Sequence, residues 1–123
     1  MGAWFDPKWA HHLNPEVNNT SGFFYLMNCC YIIFSKKLNR FYIGACHDDL
    51  EERITKHNSH EYGNHRFTAK AEDWTLFLHI ECDNYTQAMN IEKHIKAMKS
   101  SVYIKNLSMY PEMILKLKEK YKS

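Results

Sequence analysis

Long apolar runs, spaced cysteines, internal repeats and low-complexity tracts are all missing from this chain, and each absence closes off a class of protein. No stretch approaches the roughly 20 apolar residues that span a bilayer, and the N-terminus lacks the charged-then-apolar layout of a secretory signal. A cytoplasmic protein with no membrane partner is the default expectation. Cys29, Cys30, Cys46 and Cys82 show no CxxC spacing, and the adjacent pair is awkward for a disulfide. Reduced, mostly buried thiols are therefore expected. The eight histidines include His11-His12, and the remaining His and Cys lack the spacing of a structural zinc site. A net charge of +2 is too small to point to nucleic acid by itself.

What is present is a globular composition. With 123 residues, 45% hydrophobic and 15% aromatic, the chain can build one modest core. Its charge is uneven: from Lys93 to Ser123 eight lysines face only Glu112 and Glu119. Such a stretch either tracks phosphates or solubilises a terminal helix. Residues 1–26 carry no sustained period, and Met27 stands directly before the first strong strand. Codons available for Ala3 to His12 can spell the self-complementary arm and terminal ACCA of a transfer RNA gene. The segment is read as a disordered extension, or as upstream sequence ahead of a start at Met27; the genomic DNA decides between them. The body of the protein is then 27–107, followed by a Lys-rich helix over 108–123.

Residues 29–35 are rich in β-branched and aromatic side chains, and Phe41 to Cys46 resume the pattern after polar Lys36 to Asn39. An even-numbered hairpin loop would put Tyr31 and Tyr42 on one side of the sheet. Asp48, with Glu51 three residues on, reads as the capping box of a helix over roughly 49–59, with Leu50 and Ile54 inward. Arg53 and His57, four apart, stack beside that stripe. Ser59 to Ala71, with His60, His65 and Arg66, reads as a loop, and Trp74 to Cys82 as a third strand. Asn84 or Thr86 can cap a helix over roughly 86–99 with the stripe Ala88, Ile91, Ile95 and Met98, beside which lies Glu92. Pro111 suits the first turn of a last helix carrying Ile114, Leu117 and Tyr121.

Two phenols, a guanidinium, an imidazole and one carboxylate suit metal-assisted cleavage of a phosphodiester. One Mg²⁺ keeps most of its waters and needs few protein carboxylates, so Glu92 alone can anchor it. Arg53 offers a fork of donors to a phosphate. An unperturbed imidazole has a pKa near ~6.5, so His57 can accept or pass a proton. Tyr31 or Tyr42 can orient water, or act as a base if a nearby cation lowers the phenol. Taken singly each has a plainer account: a strand tyrosine in a core, a solvated Arg53 after two glutamates, an exposed Glu92 between Lys93 and Lys96, a His57 helix-end cation. The joint pattern is what favours chemistry.

Tyr42-Ile43-Gly44-x-x-x-Asp48-Asp49-Leu50-x-x-Arg53-x-x-x-His57-Asn58 resembles a GIY-YIG nuclease domain, most like the small stand-alone bacterial members, over about residues 28–107. Trp74-Thr75-Leu76, Ala88 to Glu92 and Lys99-Ser100 fit as well. The resemblance implies an α+β fold, a three-stranded antiparallel sheet flanked by helices. It also implies divalent-metal-dependent (Mg²⁺ or Mn²⁺) cleavage of DNA, in repair or processing. Carried over, Tyr31 and Tyr42 are the tyrosines of the first and second motifs, Gly44 ends the second, Arg53 binds phosphate, His57 assists one turn later, and Glu92 is the metal ligand. Lys96, Lys99 and a late Asn106 are weaker nucleic-acid contacts.

The first motif reads Cys29-Cys30-Tyr31, keeping only its Tyr. Where some relatives have a Lys after the second motif, this chain has Ala45-Cys46-His47, with His47 or Lys56 as a substitute. Gly44 leaves room for the backbone to bend and a phosphate to approach Tyr42. DNA is the expected substrate, branched or single-stranded forms included, with the Lys-rich helix and loop 59–71 holding it and either low intrinsic specificity or recruitment by another protein. The competing expectation is a non-catalytic nucleic-acid-binding or interaction module on the same fold.

Overall fold

A computed structural model of the chain describes residues 27–63 and 67–122. The readings of 1–26, His65 and Arg66 lie outside the described residues. Strands β1 (Cys29–Ser35), β2 (Arg40–Cys46) and β3 (Thr75–Glu81) form an antiparallel sheet in the order β2-β1-β3. Among the described residues four helices complete the α+β fold: α1 (Leu50–Asn58), α2 (Tyr85–Met98), α3 (Ser101–Met109) and α4 (Pro111–Lys120). A short 3-10 turn, Phe67–Lys70, lies within the stretch read as loop.

Every residue of central β1 is buried, because helices cover both faces of the sheet. Cys30, Ile32 and Phe34 face α2, α3 and α4, packing with Ala88, Ile91, Ile95, Ile104, Leu107 and Leu117. Cys29, Tyr31 and Ile33 face the other way, toward Leu50, Ala71 and Trp74. All four cysteines are free and buried, with Cys29 directly opposite Cys46.

Ser35 pairs with Arg40, so the hairpin loop is Lys36 to Asn39, an even number of residues. Asn39 takes the left-handed conformation (φ 54°) that Asn tolerates better than most side chains. Tyr31 then lies opposite Gly44 and Tyr42 opposite Ile33, which puts both tyrosines on the α1 side of the sheet, as the alternation requires. Asp73 holds the loop, accepting from Ser35 Oγ at 2.6 Å and from Lys37 N at 2.9 Å.

Three local readings need correction. The cap of α1 is Asp49, which accepts from Glu51 N and Glu52 N, and the Asp48–Glu51 box does not form. Asp48 instead reaches Arg53 at 3.4 Å. Met98, placed on the buried stripe of α2, is 45% exposed, because the helix ends there in a left-handed Lys99. Finally, α3 was not anticipated; Ser100 caps it by accepting from Tyr103 N at 3.1 Å. Asn84, one of the two expected caps of α2, accepts from Gln87 N at 2.8 Å. Pro111 opens α4 as expected.

Candidate active site

Tyr31, Tyr42, Arg53, His57 and Glu92 line one cleft of about 160 Å³, with Gly44, Ala45, Tyr62, Tyr85 and Met89 completing its walls. The cleft opens at edge strand β2. Arg53 and His57 come from α1 on one face of the sheet, and Glu92 comes from α2, which packs on β2 and β1 across the other face. An edge strand makes this possible, since side chains from two layers can meet only where the sheet stops.

Tyr31 is the buried end of the cleft, at 2% exposure. Its Oη lies 2.9 Å from His57 Nε2, and His57 Nδ1 lies 2.9 Å from Thr68 Oγ1. Burial pushes the Tyr31 phenol well above its ordinary range, with Tyr42 adding to the rise and the Arg53 charge working against it. The phenol therefore rests protonated. A protonated Tyr31 donating to Nε2 leaves the imidazole proton on Nδ1, facing Thr68. Thr68 is itself placed by Trp74, whose Nε1–H donates to the Thr68 carbonyl at 2.8 Å. Asn58 then fastens α1 to the start of β3, donating to Trp74 O at 3.0 Å and accepting from Trp74 N at 2.7 Å.

Gly44 serves a closer neighbour than an incoming phosphate. A Cβ placed there would stand 2.5 Å from both Cζ and Oη of Tyr31, so the missing side chain is the space the phenol occupies. Gly44 also lines the cleft together with Tyr42, so this contact stands beside the reading of Gly44 as room for a phosphate.

Arg53 is 24% exposed and lies 3.4 Å from Asp48, with Cζ 6.0 Å from the centre of the Tyr62 ring. Burial works against its charge, but Tyr62, Cys46, Tyr31 and Asp48 outweigh that and hold it firmly cationic. Its Nε is buried and has no hydrogen-bond partner among the described residues. Such an unpaired donor costs about 1–3 kcal/mol until an acceptor arrives. Asp48 feels burial pushing its carboxyl up, yet the Cys46 thiol and Arg53 bring it below the usual carboxylate range.

Glu92 is 19% exposed on its side chain and pairs with Lys96, one helical turn on, at 2.9 Å. Lys96 Nζ also lies 5.8 Å from the centre of the Tyr42 ring. Among the described residues Glu92 is the one carboxylate lining the cleft, and no group of three His, Cys, Asp or Glu side chains is placed to hold a metal. A single carboxylate beside an open cleft suits a hard ion that keeps most of its waters and takes its other ligands from substrate phosphate.

Other expected residues fall elsewhere. His47 packs edge-on against Tyr85, 4.7 Å between ring centres, and neither it nor Lys56 lines the cleft. Lys99 lines a second cavity, and Asn106, on α3, lines neither. Helix α4 docks along the Gln87 and His94 side of α2, through Gln87 Nε2 to Lys118 O at 2.9 Å and His94 Nδ1 to Tyr121 Oη at 2.8 Å. That side lies roughly half a helical circumference from Glu92 and Lys96. Sequence reasoning missed Tyr62 and Thr68: a loop tyrosine and a 3-10 threonine carry no periodic signal.

A family model described as the GIY-YIG catalytic domain matches residues 27–106. The chain belongs to the GIY-YIG family. The match spans β1 to most of α3, so it takes in every residue of the cleft. Membership in a family of nuclease catalytic domains sets nucleic acid as the substrate class. No curated protein and no solved structure is significantly similar to the chain.

Proposed function

We propose that this GIY-YIG domain is a divalent-metal-dependent endonuclease that hydrolyses phosphodiester bonds in DNA, in repair or processing. The observation that carries the reading is the convergence of Tyr31, Tyr42, Arg53, His57 and Glu92 on one cleft. Glu92 would hold Mg²⁺ or Mn²⁺, which would supply Lewis acidity at the phosphate and ease deprotonation of water. Arg53 takes the non-bridging phosphate oxygens, and its orphaned Nε gains the acceptor it lacks.

Water forms the new P–O bond as the opposite P–O ester bond breaks, and the departing oxygen takes its proton from solvent water. The attacking water's proton passes to Tyr31 Oη while the phenol's own proton moves across the 2.9 Å hydrogen bond to His57 Nε2. A buried phenol with a raised pKa is a poor resting base and a good relay, and His57 is the acceptor. Tyr42, more open than Tyr31, orients the water or the phosphate. Lys96, which pairs with Glu92 at 2.9 Å, would compete with a cation for that carboxylate and could offer its charge to the substrate.

Cleavage of plasmid and branched DNA in Mg²⁺ or Mn²⁺ tests this. A chelator abolishes it, and His57→Ala lowers the single-turnover rate about a hundredfold. Activity unaffected by chelation would contradict the mechanism. Binding with no cleavage, across metals and substrates, would favour an interaction module on the same fold.

A further inference from the structure

A second cavity, of about 410 Å³, lies beside the cleft, between the turn end of the β1–β2 hairpin and the α2–α3 junction. Its floor is apolar: Phe34, Ile95 and Ile104 are buried, and half-buried Phe41 and Ile43 present their edges. Its rim carries Arg40, Lys96, Lys99 and Lys105, and among the described residues no Asp or Glu lines it. Ser100 and Ser101, at the start of α3, also line it and add the positive end of that helix. The volume falls in the range of small-molecule pockets. An apolar floor under a rim whose charged side chains, among the described residues, are all cationic suits an aromatic base carried on a phosphate chain.

The connection to the cleft is Lys96. Its ammonium is 2.9 Å from Glu92 and it also lines the second cavity, so a strand leaving the first site passes this lysine and meets the second. A base stacked inside a duplex cannot reach a recess of this kind, whereas an unpaired one can. We infer that this cavity receives one unpaired nucleotide of the substrate strand next to the scissile phosphate, and so selects single-stranded or branched DNA over continuous duplex. The inference rests on the nuclease reading of the adjacent cleft.

Binding tests it without cleavage. Fluorescence anisotropy is measured on the full chain carrying Glu92→Gln, with a labelled oligothymidylate of roughly a dozen nucleotides, the same length of abasic strand, and a duplex. The oligothymidylate binds about tenfold tighter than either. Lys99→Ala with Lys105→Ala removes about tenfold of that affinity and flattens the salt dependence by one to two phosphate contacts, roughly. Lys99→Arg with Lys105→Arg retains it, and Lys116→Ala with Lys120→Ala on α4 leaves it unchanged. Equal binding of strand and duplex, equal binding of abasic strand, or equal loss from the α4 pair overturns the inference. The two proposals fail separately. A wild-type chain that never cuts, while these preferences hold, refutes only the catalytic reading; one that cuts yet shows no preference refutes only the cavity.

Discussion

Tyr31, Gly44, His57 and Thr68 act as one unit: the absent side chain of Gly44 seats a phenol that reaches His57, which Thr68 holds from behind. Gly44→Ala forces the ring to move, because a Cβ would stand 2.5 Å from it. The expected cost is about 1–3 kcal/mol of stability by denaturant unfolding, with a larger fall in cleavage than in DNA binding. Thr68→Val keeps the shape and removes the hydroxyl on Nδ1; cleavage falls while binding is unchanged. The five reactive side chains were legible in the sequence because each is a distinctive type at a distinctive spacing. Thr68 was not, since a threonine in an irregular segment announces nothing until Trp74 places it. Asp48 was read as a helix cap because Asp48 and Asp49 are chemically the same, and only the backbone decides which one caps.

At the scale of elements, Gln87 joins pieces distant in sequence. Buried to 1% exposure, it accepts from Asp83 N at 2.7 Å and donates to Lys118 O, tying the start of α2 to α4. Gln87→Ala leaves both backbone groups without these bonds, and about 1–3 kcal/mol of stability is lost, a fall of several degrees in Tm by calorimetry. The strands, α1, α2 and α4 were visible from periodicity, caps and Pro111. Helix α3 was not: Val102, Tyr103 and Ile104 are weak helix formers, and the segment is too short for its stripe of Ile104 and Leu107 to stand out. The second cavity was hidden for the same reason, because half its rim depends on the turn at Lys99 into α3.

For the whole molecule, two acid-sensitive features act in the same direction. Burial lowers the His79 imidazole below its ordinary value, so protonation favours the unfolded chain once pH drops below about 6.5. Asp48 and Asp73 are held below the usual carboxylate range in the fold, so their contribution is present above about pH 4 and is lost as pH falls through their lowered values. Thermal stability is expected to fall from pH 7 to pH 5, and His79→Gln is expected to flatten that part of the curve without altering the drop at lower pH. Among the described residues no helix is long and apolar enough to cross a membrane. The molecule's central feature is a cleft assembled at the sheet edge from two layers, with Glu92 as the contribution of the second. Nicking of supercoiled plasmid in Mg²⁺ by the wild-type chain and by Glu92→Ala, both confirmed folded, tests that claim most directly. The wild type is expected to nick and the variant to lose activity by about a hundredfold or more while still binding DNA; equal nicking by the two proteins would contradict it.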